Sequence, residues 1–136
     1  MARNAKTVAG EEPARIIPSR EEEAGRENFR DTGSITLTSG IAGEEIYKGA
    51  SVMSLINGAT ETLCRILAVE LAPLRVNAVS PGFVEPKPGE IRKLSENFPA
   101  RRLARPEEVV SAYLWLMGSS YVTGMVVKID GGAVLL

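Results

Sequence analysis

No histidine occurs among the 136 residues. That absence excludes Ser-His-Asp and Cys-His catalysis, and it leaves one cysteine and scattered carboxylates as the only metal ligands, so no metal site is expected. A lone cysteine, Cys64, cannot close an internal disulfide. Lying in an apolar helical pattern, it reads as a small buried hydrophobe and suits a reducing, cytoplasmic setting. A preponderance of one charge is also missing: 16 basic against 17 acidic residues offer no field that would gather nucleic acid or an anionic membrane. No apolar run approaches the roughly 20 residues of a bilayer span, and the N-terminal MARNAKTVAGEEPAR lacks the core of a secretory signal. The expectation is one soluble domain with no nucleic-acid or membrane partner. Its chemistry would rest on tyrosine, lysine, serine, carboxylates or an organic cofactor.

Composition changes near residue 32. Residues 1–31 carry 13 charged side chains and few large apolar ones, which predicts a flexible or partly helical arm over 1–32 ahead of a folded part over 33–136. Within the arm, Ser19 and Glu22 have the spacing of a capping box at the start of SREEEAGRENFR. From Gly33 onward, SITLT (34–38), RVNAVS (75–80) and MVVKID (125–130) read as strands, each ending in a Gly- or Pro-containing turn. Between the first two, a helix is predicted over 51–72, with Val52, Ile56, Ala59, Leu63, Ile66 and Leu67 as its buried face. Ser54, Asn57, Glu61 and Arg65 fall on the opposite face, where Glu61 and Arg65 are spaced for a weak surface ion pair. A second helix begins at Pro106, is apolar nearly all round to Met117, and should be covered on more than one side, with Trp115 in the core. Alternating strands and helices imply an α/β fold, a parallel sheet and right-handed crossovers. Ligands of such sheets lie outside the carboxyl ends of the strands, here Ser39-Gly40, Ser80-Pro81-Gly82 and Asp130-Gly131-Gly132. Ordinary strand-to-helix turns use the same residue types.

The segments GSITLTSGIAG, LAVELAP, LRVNAVSPGFV, RPEEVVSAYLWL and YVTGMVVKIDGG, in this order, resemble the C-terminal half of the short-chain dehydrogenase/reductase family over about residues 33–133. The resemblance implies a partial Rossmann-type parallel sheet of about three strands, NAD or NADP as cofactor, and hydride transfer between that cofactor and an alcohol or carbonyl substrate. The N-terminal half, with its glycine-rich diphosphate loop, has no counterpart in the chain. The family pattern places a serine after the first of these strands, then a tyrosine and a lysine four apart on the following helix. Positions i and i+4 share a helix face, so the lysine cation lowers the pKa of the phenol and lets it exchange a proton with the substrate oxygen. Here those three positions are Gly40, Met53 and Asn57.

The candidates that remain are Ser39, one residue before the serine position; Asn57, which could hydrogen-bond a ribose; and Tyr47, relocated beside Lys48. Pro81, Gly82, Phe83 and Val84 match the segment that the family lays against the nicotinamide, with backbone contact at Val84. Pro86 replaces a threonine of that segment. Arg92, Lys93, Arg101, Arg102 and Arg105 fall in a region that is a substrate lid in the family and is equally readable as a solvated loop. The resemblance implies an oxidoreductase impaired or inactive as this chain, taking a small-molecule substrate if active. It also implies a homo-oligomer formed through the 106–118 helix, the 125–130 strand and the 51–72 helix. A non-catalytic oligomerisation or binding module, or a truncated gene product, is the alternative.

Overall fold

The computed structural model describes residues 32–136, which belong to one compact unit, Asp31–Leu136. The charged arm and the capping box at Ser19 and Glu22 lie outside the described residues. Three strands, β1 (Ser34–Thr38), β2 (Arg75–Pro81) and β3 (Val126–Ile129), form a parallel sheet in the order β1-β2-β3. The register sets Ile35 beside Val76 and Ala78 beside Val126. Helices α1 (Ser51–Glu70), α2 (Gly89–Ser95) and α3 (Pro106–Gly118) connect the strands, and α2 stands where the sequence suggested a loop or lid. β2 is central and buried from Val76 to Ser80, as expected of a parallel strand covered on both faces.

The side chains of β2 alternate between two cores. Val76 and Ala78 pack on Cys64 and Ala68 of α1, while Val79 packs on Val109, Ala112 and Leu116 of α3. The two helices therefore cover opposite faces of the sheet. Since the strand order advances in one direction, the two crossovers must be of opposite hand, and the expectation of two right-handed ones is corrected. The right-handed rule follows from a twisted strand feeding a helix directly back onto the sheet. From β2 to α3 the chain instead passes through residues 82–105, including α2, which is long enough to cross to the other face.

A second correction concerns α1. The buried side holds Asn57, Cys64 and Ala68, and Ser39 reaches Glu61 on it, whereas Val52, Leu55 and Val69 are 66%, 74% and 78% exposed. Small and polar residues let the helix sit close to the sheet. The turn after β1 presses on it so tightly that a Cβ at Gly43 would lie 3.0 Å from backbone atoms of Asn57 and Gly58. Large aliphatic groups could not occupy the stretch facing Gly43, whereas Leu67, further along and on the predicted buried face, does pack on the core. With the apolar stripe turned outward, α1 is by length and composition apolar enough to cross a bilayer, contrary to the expectation that no segment would be. It nevertheless lies on the sheet through Cys64 and Ala68.

Both ends of α3 are fixed. Pro106 opens it, the Arg105 backbone N–H donates to the Glu108 carboxylate at 2.8 Å, and Arg102 donates two hydrogen bonds to that carboxylate at 2.7 Å. At the other end the Arg75 guanidinium donates to the carbonyls of Leu116 (3.0 Å), Met117 (3.3 Å) and Ser119, a cation placed on the negative end of the helix. Among the described residues, only one side of α3 is buried. Trp115, expected in the core, is 51% exposed, along with Val110, Leu114 and Met117.

Candidate functional site

The carboxyl ends of the three strands come together through the backbone. Ser39 N–H donates to the Val79 carbonyl and Gly82 N–H to the Ile129 carbonyl, each at 2.9 Å. Ser39, Gly40, Pro81 and Gly82 thus share one rim of the sheet, and the first two turns of α1 stand over it. Ser39 and position 40 both aim toward α1, because the chain turns into a short 3-10 segment, Ile41–Gly43, straight after them. They meet the helix one turn apart. The Ser39 hydroxyl is buried and donates to Glu61 Oε1 at 3.1 Å. A Cβ at Gly40 would point at Asn57, 3.0 Å from Nδ2 and 3.7 Å from the Pro81 carbonyl oxygen.

Of the candidate catalytic side chains, Asn57 and Ser39 are brought to the rim and Tyr47 is placed elsewhere. The Tyr47 ring meets Phe83 edge-on, with centroids 6.3 Å apart, at the border of a core made by Ile41, Phe98 and Ala133. Burial pushes its phenol above the ordinary value, and Glu45 and Asp130 push it further the same way. An acid poised for neutral pH needs a neighbouring cation and a shift in the opposite direction. Met53, one turn before Asn57, is 56% exposed and carries no proton to donate.

The segment Pro81-Gly82-Phe83-Val84 is locked from both sides. A Cβ at Gly82 would fall 2.8 Å from the Asp130 Cα, so only glycine fits against the turn after β3. That turn is in its own way fixed, since the Asp130 carboxylate accepts from the backbone of Gly132 at 3.0 Å and of Val134 at 3.1 Å. Phe83 stacks on Phe98 at 5.7 Å. Val84 forms a parallel bridge with Ala104 whose hydrogen bonds use the Phe83 carbonyl (3.0 Å) and the Glu85 N–H (2.9 Å). The N–H and C=O of Val84 itself point to the other side and have no backbone partner among the described residues.

Sequence reasoning missed a polar group beside this rim. Lys128 Nζ donates to both oxygens of Glu44 at 2.7 and 2.9 Å, tying the turn after β1 to β3, and its pKa is raised chiefly by that contact. Glu61, assigned to a surface pair with Arg65, belongs here instead, as the acceptor of Ser39. The i, i+4 spacing from Asn57 was the available signal. Of the basic cluster, Arg92 pairs with Glu85 at 3.5 Å, Arg102 with Glu108 at 2.7 Å and Arg105 with Glu108 at 3.5 Å. One groove, of about 740 Å3, is not at the strand ends. It lies along the outer side of α1 between Leu55, Ile56, Leu63 and Ile66.

Comparison with known proteins adds to this geometry. The family model described as enoyl-(acyl carrier protein) reductase matches residues 22–134, beginning well before the first strand. The short-chain dehydrogenase/reductase ATR9 of Stachybotrys chlorohalonatus is 41% identical over 111 residues, covering 75% of this chain and 44% of the relative. Human 3-oxoacyl-(acyl-carrier-protein) reductase is 38% identical over 109 residues, covering 76% and 46%. A crystal structure of a small-chain dehydrogenase in complex with NADPH superposes with a TM-score of 0.77 at 33% identity, over 84% of this chain and 57% of that one. The chain spans about half the length of the relatives it matches.

Proposed function

The chain belongs to the short-chain dehydrogenase/reductase family, and from that premise we propose that it carries the substrate-side half of an NAD(P)-dependent oxidoreductase site whose proton-transfer group has been lost. In a complete site the nicotinamide supplies or accepts the hydride exchanged with an alcohol or carbonyl carbon. The residues fit one side of such a cofactor: Pro81 and Gly82 form a rigid floor against Asp130, and the free backbone of Val84 offers a donor and an acceptor to a carboxamide. That open backbone at a locked rim is the observation that carries the reading. On the proton side, Met53 and Asn57 take the tyrosine and lysine positions and Gly40 the serine position. Turnover by this chain should consequently fall several powers of ten below that of a site with an acid and its tuning cation.

Titration with NADH and NADPH by calorimetry tests the proposal. Weak binding is expected, and no heat at millimolar cofactor would sink it. A second reading, a non-catalytic module that assembles through its helices, is favoured by the outward apolar faces of α1 and α3. The two readings are compatible, and a homo-oligomer is part of the proposal: both faces are too apolar to leave in water. A cytoplasmic setting, suggested by the single buried cysteine, completes it.

A further inference from the structure

Beyond the rim, the chain leaving each strand contributes to one small core. Ile41 follows Ser39 and Gly40 at the end of β1, Phe83 follows Gly82 at the end of β2, and Ala133 follows the Asp130 turn at the end of β3. With Phe98 they form a cluster on which Tyr47 also packs. The cluster thus lies off the carboxyl ends of all three strands, the side on which an open parallel sheet receives its ligands. Phe98 is its centre at 4% exposure, whereas Tyr47 and Phe83 are only half-buried, so the cluster keeps an aromatic surface. Phe83 stacks on Phe98 and Tyr47 meets Phe83 edge to face, contacts that set the orientation of both rings. Besides burial, Glu45 and Asp130 bear on the Tyr47 phenol, and both are negative. The Asp130 carboxylate accepts from the backbone N–H groups of Gly132 and Val134, which leaves its charge in place. Lys128 is engaged by Glu44, and Lys48, though next in sequence to Tyr47, is exposed.

Resting on the reading that Pro81 to Val84 lie against a nicotinamide, we propose that Tyr47 is a specificity-determining residue. With Phe83 it forms an aromatic wall flanked by carboxylates, which selects a neutral alcohol or carbonyl substrate with an apolar, preferably aromatic, body and rejects one that carries a carboxylate or phosphate. Phe83 adjoins Val84, so a substrate carbon brought to the nicotinamide has the rest of its body against this wall. The rings offer a planar group stacking and edge contacts, while the fixed charges of Glu45 and Asp130 repel an anion. The part assigned to Tyr47 is that of a ring and not of an acid. An acid would need the hydroxyl and a wall needs only the ring, a difference that binding can read.

The test uses the whole chain with NADPH, acetophenone as the neutral probe and para-acetylbenzoate as its anionic counterpart, read by calorimetry and by fluorine spectra of protein labelled with fluorotyrosine. The chain has three tyrosines, and the Tyr47 signal is the one absent from Tyr47→Phe. With NADPH present, acetophenone should shift that signal and bind about tenfold more tightly than para-acetylbenzoate. Tyr47→Ala should weaken acetophenone binding roughly three- to tenfold, the worth of one aromatic contact, and Tyr47→Phe should restore it. Glu45→Gln should narrow the gap between the probes by strengthening para-acetylbenzoate alone. Equal binding of the two ketones, or acetophenone binding indifferent to Tyr47→Ala, would overturn the wall, while heat with NADPH keeps the nucleotide reading. A loss in Tyr47→Phe as large as in Tyr47→Ala would give the part to the hydroxyl and overturn the wall too. If NADPH gives no heat, the nucleotide reading falls alone when acetophenone still shifts the Tyr47 signal, and both fall when it does not.

Discussion

Two residues show how local chemistry fixes the rim and its support. Gly82 has no room for a methyl group, since the obstacle is the backbone of Asp130. Gly82→Ala should cost about 1–3 kcal/mol and lower the urea midpoint, because neither β2 nor the turn after β3 can move freely. Glu108 accepts hydrogen bonds from the Arg102 side chain and the Arg105 backbone, which lower its pKa from 4.5 to about 2. A depressed carboxyl pKa favours the folded state above the ordinary carboxyl range, and the benefit disappears as pH falls through about 2. NMR titration of the Glu108 carboxyl should place its midpoint near that value, and Glu108→Gln should remove this part of the acid sensitivity. The candidate site was partly legible at this scale: the residue types at 40, 53 and 57 could be read from the motif. That Asn57 is buried, and that Ser39 is bound to Glu61, could not, because both depend on which way α1 is rolled.

Among the elements, α1 has the most to say about assembly. Its outward positions Val52, Leu55, Ala59, Thr62, Ile66 and Val69 alternate in steps of three and four, the spacing of a coiled-coil seam. Their sizes read the same in both directions, large at the ends and small in the middle. A two-fold interface needs such a self-complementary surface. An antiparallel pair centred between Ala59 and Thr62 would set Val52 against Val69 of a second copy and Leu55 against its Ile66. Cys64 is buried, so engineered cysteines would report alone. The double variant Val52→Cys/Val69→Cys should oxidise to a covalent dimer on a non-reducing gel, while each single variant should not. The two positions lie about 25 Å apart on one helix, too far for an internal bond. Cross-linking by a single variant would indicate a parallel pair, and none by the double would rule out this arrangement.

For the molecule as a whole, stability is concentrated on β2, which alone among the described strands has a strand on each side and a helix on each face. Hydrogen exchange should be slowest at Val76, Ala78 and Val79 and clearly faster at the backbone of β1 and β3. Equal protection across the sheet would mean that another element covers the outer strands in solution. By itself the sequence determined the order of strands and helices, the parallel sheet and the rim residues, because these follow from periodicity, from Gly and Pro at strand ends and from the family motifs. Tertiary structure decided which face of α1 is buried, the opposite hands of the two crossovers and the outward place of Trp115. The periodic signal of α1 is clear but misleads: its apolar stripe faces outward, because the close approach of the turn at Gly43 leaves room only for small and polar groups at Asn57 and Gly58.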